Sequence, residues 1–134
     1  MEHSNIRVLI VDGALRRKDQ VADTVLAAGF ETRVASDSVS AMGSLEVWRP
    51  TVIVVDLRSP ESEARQFCTM LAERPTLETP PVILMAEGPN LLKPQVVNPS
   101  GLVTAPVDPD QLVATVLRVA RLADSAREGS VAHR

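Results

Sequence analysis

One short stretch constrains the fold more than any other part of the chain: Thr51-Val52-Ile53-Val54-Val55-Asp56-Leu57-Arg58-Ser59-Pro60. Valine and isoleucine branch at Cβ, which restricts χ1 and suits a pleated backbone better than a helix. The run does not alternate apolar with polar residues, so both of its faces must be covered. That is the pattern of a strand in the middle of a parallel sheet. The aspartate and the proline-containing turn then stop it. In open parallel sheets, ligands and chemistry collect just beyond the carboxyl ends of the strands. Asp56 stands at such an end and is the first candidate for a functional residue.

The rest of the chain supplies partners for this strand. Ile6-Arg7-Val8-Leu9-Ile10-Val11-Asp12 is a first strand, also ending in an aspartate, and Gly13 permits a turn. Residues 14–28 read as a helix with Leu15, Ala22, Val25 and Leu26 on one stripe, stopped by Gly29. Residues 30–35 form a second strand. Asp37 or Ser38 caps the next helix, with Val39, Met42, Leu45 and Trp48 toward the core, and Arg49-Pro50 ends it. After the strand to Asp56, residues 60–73 read as a third helix, with Ala64, Phe67, Cys68 and Leu71 at helical spacing. Pro81-Val82-Ile83-Leu84-Met85-Ala86 is a fourth strand.

Between Gly88 and Gly101 the pattern breaks. Pro89, Pro94 and Pro99 leave room for no helix longer than about a turn, because each proline removes a hydrogen bond and clashes with the preceding turn. The pairs Leu91-Leu92 and Val96-Val97 anchor this segment as an ordered loop. Residues 101–105 form a short fifth strand. Asp108 caps the last helix with Pro109 at its first position, and Leu112, Val116, Val119, Ala120 and Ala123 form its buried stripe. Residues 124–134 read as a linker or frayed, disordered tail after one domain spanning 1–123. The alternation of strands and helices predicts a doubly wound five-stranded parallel α/β sheet. Its right-handed crossovers would set Asp12 and Asp56 side by side.

Composition narrows the function classes. Two Phe, one Trp and no Tyr among 134 residues argue against a stacking platform for single-stranded nucleic acid. A net charge of −3 gives no polybasic footprint, and three exposed charges at Arg16-Arg17-Lys18 are ordinary for a solvated helix. The one cysteine, Cys68, excludes an internal disulfide framework or a Cys-rich zinc site. His3 and His133 lie in the terminal segments. No apolar run reaches membrane-spanning length and the first residues lack a signal peptide's pattern, so a cytoplasmic location is expected.

Two carboxylates at adjacent strand ends can hold a hard cation such as Mg²⁺. A carboxylate beside such an ion can attack phosphate. The alternative is that they cap helices or face solvent. Here a family resemblance adds to the residues. Val8-Leu9-Ile10-Val11-Asp12, Ala27-Ala28-Gly29-Phe30-Glu31, the run to Asp56 with Pro60, Pro81-Val82-Ile83-Leu84-Met85, and Gly101 through Ala105-Pro106 together resemble the CheY-like receiver domain of two-component response regulators. The resemblance covers residues 6–123. It implies a flavodoxin-like receiver fold, phosphoryl transfer from a sensor histidine kinase onto Asp56, and Mg²⁺ held by Asp12 and Asp56.

The same resemblance marks departures. Gly13 stands where the family has a second acid, Ala86 where it has a hydroxyl, Ala105 where it has a lysine, and Leu102 where it has a switching aromatic. The proline-spaced segment replaces the fourth helix. Without these groups Mg²⁺ is held weakly or not at all, and a phosphoryl group lacks its counter-charge. The family's bond matching Ala105-Pro106 is commonly cis. Arg58, two residues past Asp56, either folds its guanidinium toward Asp12 and Asp56 in place of the metal or is a solvated loop residue.

The reading that follows is a non-enzymatic, atypical receiver without a cofactor beyond weak Mg²⁺. It would act by phosphorylation-independent contact with an output domain or kinase. Val113, Leu117 and Leu122 would support self-association through the last helix and strand five, with no nucleic acid or membrane contact by this domain. The alternative is a working phosphoacceptor that uses Asp56 with Mg²⁺ in a phosphorelay. A flavodoxin-like cofactor binder is a third reading, disfavoured by the single glycine after the first strand and the lack of aromatics.

Overall fold

The valine-rich run is the central strand of the sheet, and every residue from Val52 to Asp56 is buried. A computed structural model describes residues 3–12, 21–58, 63–74, 79–86, 99–104 and 106–132. In chain order these form β1 (His3–Asp12), α1 (Val21–Ala27), β2 (Phe30–Ala35), α2 (Ser38–Val47) and β3 (Val52–Asp56). They continue with α3 (Glu63–Ala72), β4 (Val82–Ala86), β5 (Gly101–Thr104) and α4 (Pro109–Ala132). The five strands lie in the order β2-β1-β3-β4-β5, all parallel.

Both sheet faces are covered, as unalternated strands require. Val8, Ile10, Val52, Val54, Ile83 and Met85 pack with α1 and α4 on one side. Leu9, Val11, Ile53, Val55 and Leu84 pack with α2 and α3 on the other. The period-two alternation of a strand therefore sorts consecutive valines and isoleucines into two cores. On α3, Ala64, Phe67, Cys68 and Leu71 are all buried, in the phase their spacing predicts.

Two glycines have steric reasons. Gly29 ends α1 at φ 94, and its N–H donates to Leu26 O at 3.0 Å. Gly101 lets β5 lie close under α4, since a Cβ there would meet Thr115 Cγ2 at 2.9 Å. At the far end of α2, Arg49 adopts φ 56, and the N–H groups of Trp48 and Arg49 both donate to Ser44 O. This is the left-handed closure a glycine usually provides. The guanidinium groups of Arg7 and Arg33 lie 5.8 Å and 5.0 Å from the centre of the Trp48 ring. Arg7 also donates to Trp48 O at 2.6 Å.

Several expectations change in detail. On α2 the core residues are Ser38, Ala41 and Leu45, while Val39 is exposed and Met42 and Trp48 are half-buried. The helix starts one residue after its cap Asp37, and that phase turns Val39 outward. On α1, Val21 and Val25 face the core and Leu26, a further 100° round the helix, does not. Leu15 and the first half of the expected helix lie outside the described residues. β1 begins at His3, with a register irregularity between His3 and Arg7.

The stretch from residue 124, expected as a linker or disordered tail, is instead helical as far as Ala132. The apolar stripe ends near Ala123, but Ala126, Arg127 and Glu128 are good helix formers and continue the turn already nucleated before them. The proline-spaced segment falls outside the described residues between 87 and 98, and so does the residue pair expected to be cis, at its Ala105. Among the described residues no helix is long and apolar enough to cross a membrane.

Candidate functional site at the carboxyl end of the sheet

β1 and β3 are neighbours, and Asp12 and Asp56 are register partners at their ends. Asp56 is 3% exposed, so its charge needs compensation inside the protein. The chain supplies it two residues later. The Leu57 N–H still donates to Met85 O at 2.8 Å, prolonging the ladder by one residue. The Arg58 N–H then donates to Asp56 Oδ1 at 3.0 Å, an aspartate turn that folds the backbone over the strand end. This turn brings the Arg58 side chain back onto the same carboxylate. Nε donates to Oδ1 at 2.9 Å and Nη2 to Oδ2 at 2.7 Å.

The result is a two-pronged ion pair with a third, backbone hydrogen bond, and Arg58 itself is only 6% exposed. An arginine fork matches a carboxylate in plane and spacing, which a lysine cannot do. Oδ1 already accepts two N–H groups. Asp12, half-buried beside this pair, also has an interaction partner.

The other candidate positions divide. Ala86 is the buried last residue of β4, in register with Thr104, and presents a methyl group. Leu102 lies on β5 in register with Leu84 and is exposed. Gly13 and Ala105 lie outside the described residues. No group of three or more His, Cys, Asp or Glu that could hold a metal ion occurs among the described residues. A shallow groove of about 350 Å³ lies elsewhere, on the outer face of α4, lined by Ala114, Leu117, Arg118, Arg121 and Leu122.

Cys68 is inert. Burial pushes its thiol up to about 11, against a smaller opposing effect of Arg65. The signal for the fork was present in the sequence as the spacing Asp-x-Arg after a buried run. The paired stacking of Arg7 and Arg33 on Trp48 was not foreseen, because the three residues are far apart in the chain.

The strand order and the adjacent strand-end aspartates are those of a CheY-like response-regulator receiver domain, and this chain has that receiver fold. The chemotaxis response regulator CheY4 of Vibrio cholerae is similar with a TM-score of 0.68 and 25% identity, over 85% of this chain and 98% of that one. Protein PilG of Pseudomonas aeruginosa is 22% identical over 121 residues, covering 86% of this chain and 87% of PilG. Protein Rrf1 of Nitratidesulfovibrio vulgaris is 30% identical over 93 residues, 68% of this chain and 65% of Rrf1. A 76.5 kDa protein of Thiocystis violacea is 21% identical over 119 residues, and the chain spans 17% of its length. No family model matches the chain.

Proposed function

We propose that this domain is an atypical receiver in which Arg58 serves as the fixed counter-charge of Asp56, and that it signals by protein contact without needing phosphorylation. The observation that carries this reading is the buried fork from Arg58 to Asp56. A magnesium ion takes carboxylate oxygens as ligands, and a guanidinium bonded to the same oxygens competes for their lone pairs. Asp56 Oδ1 is already filled by two N–H groups, and a full positive charge lies 2.7 Å from Oδ2. With Arg58 in this place the donor set does not fit the ion. Attack of Asp56 on a phosphoryl donor would likewise require the fork to open first. The methyl of Ala86 offers no hydroxyl to hold the product.

The partner would be an output domain or a sensor kinase. Its contact surface, by analogy with the fold class only, would be β5 and α4, where Leu102, Leu122 and the basic groove are exposed. The test is incubation with a small phosphodonor and magnesium, read by intact mass for wild type, Asp56→Asn and Arg58→Ala. We expect no adduct on the wild type, and tighter magnesium binding by Arg58→Ala than by wild type. A stoichiometric wild-type adduct that vanishes in Asp56→Asn would establish the other reading, a working phosphoacceptor.

A further inference from the structure

Where the end of α2 meets the edge of the sheet, arginines outnumber the acids that pair with them. Arg7 donates to Glu31 Oε1 at 3.4 Å, and Arg74 to Glu46 Oε1 at 2.8 Å. Arg33 and Arg49 are exposed and have no carboxylate partner among the described residues. These four cations against two acids leave a local surplus of two positive charges, in a chain whose net charge is −3.

Arg33 is held in place. It stands two residues past Glu31 on β2, so its side chain shares a sheet face with that of Arg7. Its guanidinium lies over the Trp48 ring, 5.0 Å from the centroid. The ring restrains the guanidinium but offers its N–H groups no lone pair. An arginine already restrained loses less freedom when it binds. Arg49 follows Trp48 in the chain and is kept there against conformational preference. Its φ of 56 is disfavoured for a residue with a Cβ, and a glycine would close the helix more easily. A cation at a helix C-terminus can serve the last carbonyls, yet Arg7 already donates to Trp48 O at 2.6 Å.

We propose that Arg33 and Arg49 bind a phosphomonoester beside Trp48. The fork of an arginine makes its strongest hydrogen bonds to an oxyanion. A monoester carries close to two negative charges above neutral pH, which matches the surplus. A carboxylate carries one and would leave an arginine uncompensated. Glu31 and Glu46, the acids that would oppose an anion here, are each engaged by another arginine. The corner is open to solvent, so binding is weak, with Kd ~1 mM.

Nuclear magnetic resonance of the full chain tests this, with the arginine Nε–H and Trp48 indole N–H signals followed at about pH 8 and constant ionic strength. Inorganic phosphate should shift the Arg33 and Trp48 signals saturably, and acetate should bind about tenfold more weakly or worse. Arg33→Gln should raise Kd for phosphate by about tenfold. Arg49→Gly should raise it too, while its thermal midpoint stays at or above that of wild type because glycine accepts the backbone conformation. Arg121→Gln, on α4, should bind as wild type does. A phosphoserine peptide that binds more tightly than phosphate places the ester on a protein side chain, and equal affinity makes the free anion the ligand; either supports the site. The proposal fails if phosphate gives no saturable shift, if acetate binds as well, if Arg33→Gln or Arg49→Gly binds as wild type does, or if Arg121→Gln is equally impaired.

Discussion

Moving a carboxylate and a guanidinium together out of water strips both of hydration, and their mutual attraction only roughly offsets that loss. The Asp56–Arg58 pair is therefore a poor device for raising stability and a good one for holding a loop in one arrangement. Its removal is asymmetric. Arg58→Ala leaves a buried, uncompensated carboxylate and should cost about 3–5 kcal/mol in urea unfolding. Arg58→Ala combined with Asp56→Ala should recover much of that. A cost below ~1 kcal/mol for Arg58→Ala would mean that the pair is not buried in solution. At this scale the sequence was half legible. The position of Asp56 follows from the run before it. The direction of Arg58 depends on a turn whose geometry the side chain itself closes.

Among elements, β5 and α4 depend on each other through Gly101. Gly101→Ala would place a methyl 2.9 Å from Thr115 Cγ2 and 3.2 Å from Val119 Cγ2, so either the strand or the helix must shift. Overpacking of this kind costs about 1–3 kcal/mol, measurable by chemical denaturation. An unchanged midpoint would show that the two elements are loosely docked. Helix existence was legible from apolar spacing, and α3 has the expected phase throughout. The phase of α2 was not, because apolar residues occupy both its sides and periodicity alone cannot choose between Val39 and Ala41. Capping decides it, since Asp37 Oδ1 accepts the Ser40 N–H at 2.7 Å. The helical stretch after Ala123 was missed because it has no apolar stripe to announce it.

For the whole molecule, parallel topology follows from unalternated strands joined by long crossovers, and it sets two distant aspartates in register. That much is written in the order of the elements. The stacking of Trp48 is not, since it joins β1, β2 and α2 by side chains with no periodic signature. Global stability should carry one pH signature from the core. Cys68 titrates near 11 when folded, against an ordinary value of 9.0. Below pH 9 both states hold the proton and stability is unaffected. Between pH 9 and 11 the unfolded chain loses it first, so stability falls as pH rises, by at most ~1–3 kcal/mol. Cys68→Ser should abolish that slope in urea titrations, and a slope that survives belongs to other groups.

Trp48 is the chain's one tryptophan, and it caps α2 beneath two arginines. Any ultraviolet emission excited at the red edge of protein absorbance therefore originates at that spot. Asp56 lies at the other end of β3, about 16 Å of strand away. The fluorescence of this protein is thus a local gauge: it should register a neighbour arriving along α2, yet stay dark to what happens at the aspartates.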